Sequence, residues 1–168
     1  DSIDCDLAKV GGQLYQEADF ILFSARWEEQ EAKNVGAFID TLQSQGKRVV
    51  ITGRTIEFPN APMLMHRLYW NNQQQMPDMK SVHEAFWENR SPGIEEINQQ
   101  LKRNATEHHA IYLDKWDYAC EVAQRQCFAL DSAGHPLQYD YGHTTVEGAR
   151  FMGQRIVSLN WLGPLDGH

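Results

Sequence analysis

Three short apolar runs, separated by stretches of helical periodicity, constrain this chain more than any other feature. They are Phe20-Ile21-Leu22-Phe23-Ser24-Ala25, Arg48-Val49-Val50-Ile51-Thr52-Gly53 and Ala110-Ile111-Tyr112-Leu113. Such runs, without polar alternation, suit strands buried on both faces of a parallel sheet. Between the first two, Ala32, Val35, Phe38, Ile39 and Leu42 lie on one face of a helix, and Gly46 stands where a C-terminal cap belongs. The unit is β-α-β, and such crossovers are right-handed almost without exception.

Around this unit the signals are more mixed. Leu7, Val10 and Leu14 predict a short helix over about 6–17. Pro59 and Pro62 punctuate a loop, residues 63–69 read as helical, and residues 71–79 form a polar, Gln-rich loop or helix end. Ser91-Pro92 before Gly93-Ile94-Glu95-Glu96 reads as an N-cap, a proline in the first turn and an acidic helix start, with the helix running to about Arg103. Asp131 and Gly134 suit the ends of a type I turn, which makes residues 127–139 a small hairpin. Thr144-Thr145-Val146-Glu147 has the spacing of a capping box and opens a last helix with Val146, Ala149, Met152 and Ile156 inward. The order β-α-β-α-β-hairpin-α predicts a three-layer α/β sandwich around a parallel sheet.

Composition narrows the function. With 42% hydrophobic residues the chain can fill a core, and 15 basic against 23 acidic residues give a net charge of −8. That balance argues against binding nucleic acid or anionic lipid. No apolar run approaches the roughly 18 residues needed to cross a bilayer. The acidic start, Asp1-Ser2-Ile3-Asp4, is not that of a signal peptide. Cys5, Cys120 and Cys127 form no C-x-x-C pair and have no histidine at zinc-finger spacing, so no metal site is expected. Cys120 and Cys127 lie in a stretch that reads as an irregular loop, and their spacing allows either a short-loop disulfide or two reduced thiols. Cys5 is free or paired outside this chain. His108-His109 on an extended segment would point to opposite faces, and Trp70, Trp87 and Trp116 read as packing residues. Asp114 and Asp117 are expected to shape the loop ahead of Cys120.

The chemistry-bearing stretch is Tyr139-Asp140-Tyr141-Gly142-His143. An aspartate three residues before a histidine, on a loop leading into a capped helix, can accept from one imidazole nitrogen and leave the other as a base. That is two-thirds of a Ser-His-Asp arrangement. By spacing alone, Asp140 could equally be a helix cap beside a surface histidine.

The run from Leu137 to Ala149 resembles the closing block of the SGNH hydrolase superfamily. More narrowly, it resembles the extracytoplasmic SGNH domain fused to membrane acyltransferases of the acyltransferase-3 family, which carries Tyr-Asp-x-x-His-Leu-(Ser/Thr)-x-x-Gly-Ala there. Ala18-Asp19-Phe20-Ile21-Leu22-Phe23-Ser24-Ala25-Arg26-Trp27 is similar to the strand ending in Ala-Arg-Trp in those domains. Tyr112-Leu113-Asp114, followed by Cys120 and Cys127, is similar to their paired-cysteine loop. Two features depart from the family. Thr144 replaces leucine, and the Gly-Asp-Ser nucleophile block is absent. Asp1-Ser2 follows no strand, and Asp131-Ser132 lies in the hairpin turn.

The resemblance implies a flavodoxin-like SGNH sheet over residues 1–168 that lacks its first β-α unit. A preceding segment, to which Cys5 is tied, would complete the sheet and carry the serine. His143 would be the general base and Asp140 its orienting carboxylate, with Cys120 and Cys127 disulfide-bonded. The implied reaction is O-acyl transfer, of acetyl above all, to or from a cell-envelope carbohydrate on the periplasmic side. A transmembrane acyltransferase domain and a glycan acceptor would be partners, with no cofactor and no nucleic acid. Arg26 and Trp27, at the C-terminal end of a parallel strand, are candidate substrate contacts. The alternative is that Trp27 packs beneath the site and Arg26 pairs with a carboxylate. A competing class is a degenerate SGNH module that binds glycan or regulates an attached acyltransferase. A phosphate or nucleotide binder lacks the Gly-rich loop it would need.

Overall fold

A computed structural model describes residues 12–165, so Cys5, Leu7 and Val10 lie outside the described residues. The part of the first helix within them is α1 (Gln13–Glu17). The three apolar runs form strands β1 (Phe20–Phe23), β2 (Arg48–Thr52) and β3 (Ile111–Leu113), all parallel, with β2 in the centre. Helix α2 (Glu29–Ser44) returns from β1 to β2, and α5 (Ile94–Glu107) leads into β3. The fold is thus α/β, a parallel sheet flanked by helices.

The two-residue period of the strands divides the sheet. Ile21, Phe23, Val49 and Ile51 face the stripe Ala32, Val35, Ile39 and Leu42 of α2 and Leu101 of α5. Ile39, Leu42, Ile51 and Leu101 are fully enclosed. Each such side chain contributes about 1.5–3 kcal/mol relative to exposure. Gly46, at φ 76, ends α2 as its position in the sequence predicts. β1 differs from the expectation of burial on both faces: Phe20 and Leu22 are each 41% exposed. They lie on the face away from α2, on a strand whose outer edge pairs with nothing among the described residues.

A second core joins Ile56, Phe58, Leu64, Phe86, Trp87, Trp116, Leu137 and Met152. It is built from α3 (Ala61–Asn71), α4 (Met79–Glu88), a terminal hairpin region and α7 (Val146–Ser158). Trp87 and Trp116 pack here as expected, but Trp70 does not and is 52% exposed near the end of α3. Helix α4, capped by Asp78, was hidden behind the Gln-rich loop. Helix α5 starts at Ile94, after Gly93 at φ 81, so Ser91-Pro92 precede the helix rather than cap it. The left-handed turn at Gly93 and the bond from the Ser91 amide to the Glu57 carbonyl tie this entry to the β2 loop. His108 ends α5 and bonds Asp40, and His109 takes a positive φ, so neither lies on an extended segment. No group of metal-ligating side chains occurs among the described residues, and no helix among them is long and apolar enough to cross a membrane.

Cys120 and Cys127 are disulfide-bonded. Their segment is a tight hairpin rather than an irregular loop: α6 (Trp116–Ala119) runs into β4 (Cys120–Glu121), which pairs antiparallel with β5 (Gln126–Cys127). The two cysteines sit directly opposite, and both are buried in the second core. Replacing both by serine is expected to lower stability by about 2.5 kcal/mol, from the loop entropy of so short a ring. Urea unfolding with and without reductant checks this, and an unchanged midpoint would contradict it.

Candidate functional site

The loop from Tyr139 to His143 is closed by local hydrogen bonds. The Tyr139 amide donates to the His143 carbonyl at 3.1 Å, and Gln138 bridges Thr144. Inside it, Asp140 Oδ1 accepts from the amides of Gly142 at 3.0 Å and His143 at 2.8 Å. Its Oδ2 lies 2.7 Å from His143 Nδ1. The Gly142 and His143 amides, and then the imidazole, hold the Asp140 pKa at about 2. The carboxylate therefore stays charged, so Nδ1 is the donor, and in the neutral ring Nε2 keeps its lone pair. Tyr139 stacks on the imidazole with centroids 5.7 Å apart, and Tyr141 meets its edge at 5.5 Å.

Tertiary contacts fix the loop from both ends. The Tyr141 carbonyl accepts from the Phe58 amide at 2.7 Å, which ties the loop to the segment after β2. Thr145 caps α7 by accepting from the Gly148 amide at 2.9 Å. The cap thus lies one residue later than the predicted box, with glycine rather than glutamate in the third position. Of the expected inner face, Met152 is buried and Ile156 half-buried, whereas Val146 and Ala149 are exposed and Gly148 lies inward instead. A Cβ on Gly148 would stand 2.0 Å from the Leu137 carbonyl oxygen. Alanine would gain about 1 kcal/mol in helix propensity. The clash is with backbone and dominates, so Gly148→Ala is expected to lose about 1–3 kcal/mol net. Broadened amide resonances confined to residues 137–148 would accompany the loss, and a stabilised variant would contradict it.

Opposite His143 lies a cluster of charged side chains. Arg26 donates to Glu57 through Nε at 2.8 Å and Nη2 at 3.0 Å. Arg54 reaches the same carboxylate at 3.1 Å and gives Nη1 to the Trp27 carbonyl at 2.9 Å. Bonding from Arg26 comes first in holding Glu57 below the usual carboxylate range, and the charge of Arg54 adds to it against the opposing effect of burial. Arg54 and Glu57 are buried, but the Arg26 side chain is 61% exposed, its guanidinium 5.6 Å from the Tyr141 ring centre. Trp27 is buried and donates its indole N–H to the Thr52 carbonyl at 2.9 Å.

These groups surround a cavity of about 260 Å³ lined by residues following the C-terminal ends of all three sheet strands, together with Tyr141, Gly142 and His143. Ligands bind at this end of parallel α/β sheets. The structure brings Asp140, His143 and Arg26 together here and sets Trp27 beneath them. Arg54, Glu57, Ser24 and Lys115 also belong to the site and escaped the sequence reading. One signal was available for them: each lies just beyond a strand end.

The profile of a family described as "SGNH domain (fused to AT3 domains)" matches residues 4–158. Among solved structures, the periplasmic domain of a lipopolysaccharide acetyltransferase from Salmonella serovar Paratyphi A superposes with a TM-score of 0.60 at 16% identity, over 83% of this chain and 54% of that one. A Bacteroides fragilis protein described as a candidate acylhydrolase gives a TM-score of 0.42 at 18% identity, over 81% of this chain and 52% of that one. The chain thus spans about half the length of each of these structures. No curated protein matches it. With the family profile spanning all but the ends of the chain, and the Tyr-Asp-x-x-His loop in the place that profile covers, the chain belongs to the SGNH domain family, in the branch fused to acyltransferase-3 domains.

Proposed function

We propose that this chain supplies the acid–base half of a Ser-His-Asp acyl-transfer site acting on a cell-envelope carbohydrate. The observation that carries the reading is the 2.7 Å Asp140–His143 contact, which leaves Nε2 without a hydrogen-bond partner among the described residues on a ring that lines the cavity. The serine comes from a preceding segment outside this chain. The edge of β1, unpaired among the described residues, and the exposed Phe20 and Leu22 support this, because an added β-α unit would pair the edge with its strand and cover the apolar face with its helix.

His143 Nε2 takes the proton of the serine as its oxygen attacks the acyl ester carbonyl. The imidazolium, stabilised by Asp140, then gives that proton to the departing alcohol. In the second half, a sugar hydroxyl or water loses its proton to His143 as it attacks the acyl-serine, and the imidazolium returns that proton to the serine oxygen as the acyl–oxygen bond breaks. Acetyl is the acyl group favoured by the family resemblance and by the Salmonella structure. Arg26 contacts substrate, and Trp27 holds Arg54 and the cavity floor in place. The site works on the periplasmic side, attached to a membrane acyltransferase domain, a setting that suits the disulfide.

The test is p-nitrophenyl acetate turnover and labelling by a serine-directed fluorophosphonate, in the full-length protein. Both are expected in the wild type and lost in His143→Ala. Retained labelling and turnover in that variant would remove His143 from the mechanism. No turnover in the wild type would favour the non-catalytic module.

A further inference from the structure

We propose that the molecule acylated at this site carries an anionic group, a carboxylate or a phosphate, which docks on Lys115 and Arg26 beside His143. The inference rests on the acyl-transfer reading of the same cavity and adds its substrate class.

The first observation is an imbalance of charge. The chain as a whole carries −8, yet the cations lining this cavity, Arg26, Arg54 and Lys115, face one lining acid, Glu57. Both oxygens of Glu57 are already taken, Oε1 by Arg26 Nε and by Arg54, and Oε2 by Arg26 Nη2. Glu57 therefore answers two guanidiniums, with Arg54 also reaching Glu28 at 3.4 Å, and the lysine adds a positive charge that neither acid meets. Local potential, rather than net charge, decides what a cleft attracts.

The second observation is Lys115 itself. Its ammonium lies 2.9 Å from Ser24 Oγ, a neutral partner, and it makes no ion pair among the described residues. The neighbouring Asp114 is committed elsewhere, its Oδ1 accepting from the Trp116 amide at 2.9 Å. Half-buried as it is, Lys115 loses hydration without gaining a counter-charge, and burial pushes its pKa down accordingly. An ammonium has three donors, and Ser24 uses one. Arg26 Nη1 has no hydrogen-bond partner among the described residues, while Nε and Nη2 bind Glu57. A point charge and a guanidinium lining the same cavity suit an oxyanion of the acceptor, and its arrival would offset the desolvation of Lys115.

Calorimetric titration of the full-length protein separates the possibilities, with methyl glucuronoside, glucose 1-phosphate and methyl glucoside as probes. At least one acidic sugar is expected to bind about tenfold more tightly than methyl glucoside, the ratio supplied by one charge-assisted hydrogen bond. The tighter acidic probe identifies the group as carboxylate or phosphate. Lys115→Gln is expected to abolish the preference. Ser24→Asp, on an exposed position, should abolish it too by placing a carboxylate on Lys115. His143→Ala should keep the preference, so loss of catalysis and loss of acid recognition are read separately. Equal affinity for acidic and neutral sugars, or a preference that survives both Lys115→Gln and Ser24→Asp, would overturn the inference.

Discussion

Asp140→Asn in the full-length protein is expected to lower kcat for acyl transfer by about four orders of magnitude, with KM nearly unchanged. The asparagine oxygen can still accept from the Gly142 and His143 amides that now bond Oδ1, so the loop keeps its shape. The amide nitrogen then faces His143 Nδ1, where a donor meets a donor. The ring answers by moving its proton to Nε2, and the base is lost although every atom stays in place. Steady-state kinetics check this, and a loss below about tenfold would mean that Asp140 does not set the tautomer.

The same variant carries a pH signature. Asp140 has a native pKa of about 2 against an ordinary value of 3.8. Its contribution to stability is therefore complete above its ordinary pKa, and drains away as the pH falls through that value toward about 2. Asp140→Asn should flatten the acid side of the urea-midpoint profile over that window, because its loss of stability is full at neutral pH and shrinks as the pH falls toward about 2.

The second large effect concerns Glu57, whose carboxylate is the shared counter-charge of Arg26 and Arg54. Arg54 is buried, and what remains to it is the Trp27 carbonyl and, at 3.4 Å, the carboxylate of the exposed Glu28, a longer and more solvated counter-charge. Glu57→Ala leaves the buried guanidinium with only the longer Glu28 contact as counter-charge and is expected to destabilise the domain by about 3 kcal/mol. Arg26 would lose the carboxylate that fixes it beside Tyr141, so activity should fall beyond what the lost stability explains. Denaturant unfolding combined with kinetics at a temperature where both proteins are folded checks the two effects. A change below about 1 kcal/mol would show that water solvates Arg54 as well as Glu57 does.

How much was legible beforehand follows from how far apart the determinants lie. Asp140 and His143 are three residues apart, and their contact needs only the loop's own turn, so the pair could be read directly. The parallel strands and the core face of α2 follow from apolar periodicity over a few residues. Helix α3 reads in the same way. Near-misses arose where two local solutions compete: Thr144 and Thr145 can each cap α7, and the contact of Gly148 with the Leu137 backbone selects the second. Ser91-Pro92 looks like a helix start, but the bond from Ser91 to Glu57 holds it outside α5.

The sequence by itself determined the order of the three parallel strands with α2, α5 and α7 around them, the Asp140–His143 pair and the family these belong to, because each is written within a dozen or so residues. Only the tertiary structure decided that Arg26 meets Glu57 across 31 positions, that Lys115 meets Ser24 across 91, and that Phe20 and Leu22 lie open on the edge of the sheet. Those outcomes depend on which strand ends the crossovers bring side by side. Local propensity carries no information about the charge or the void that a distant strand end will present.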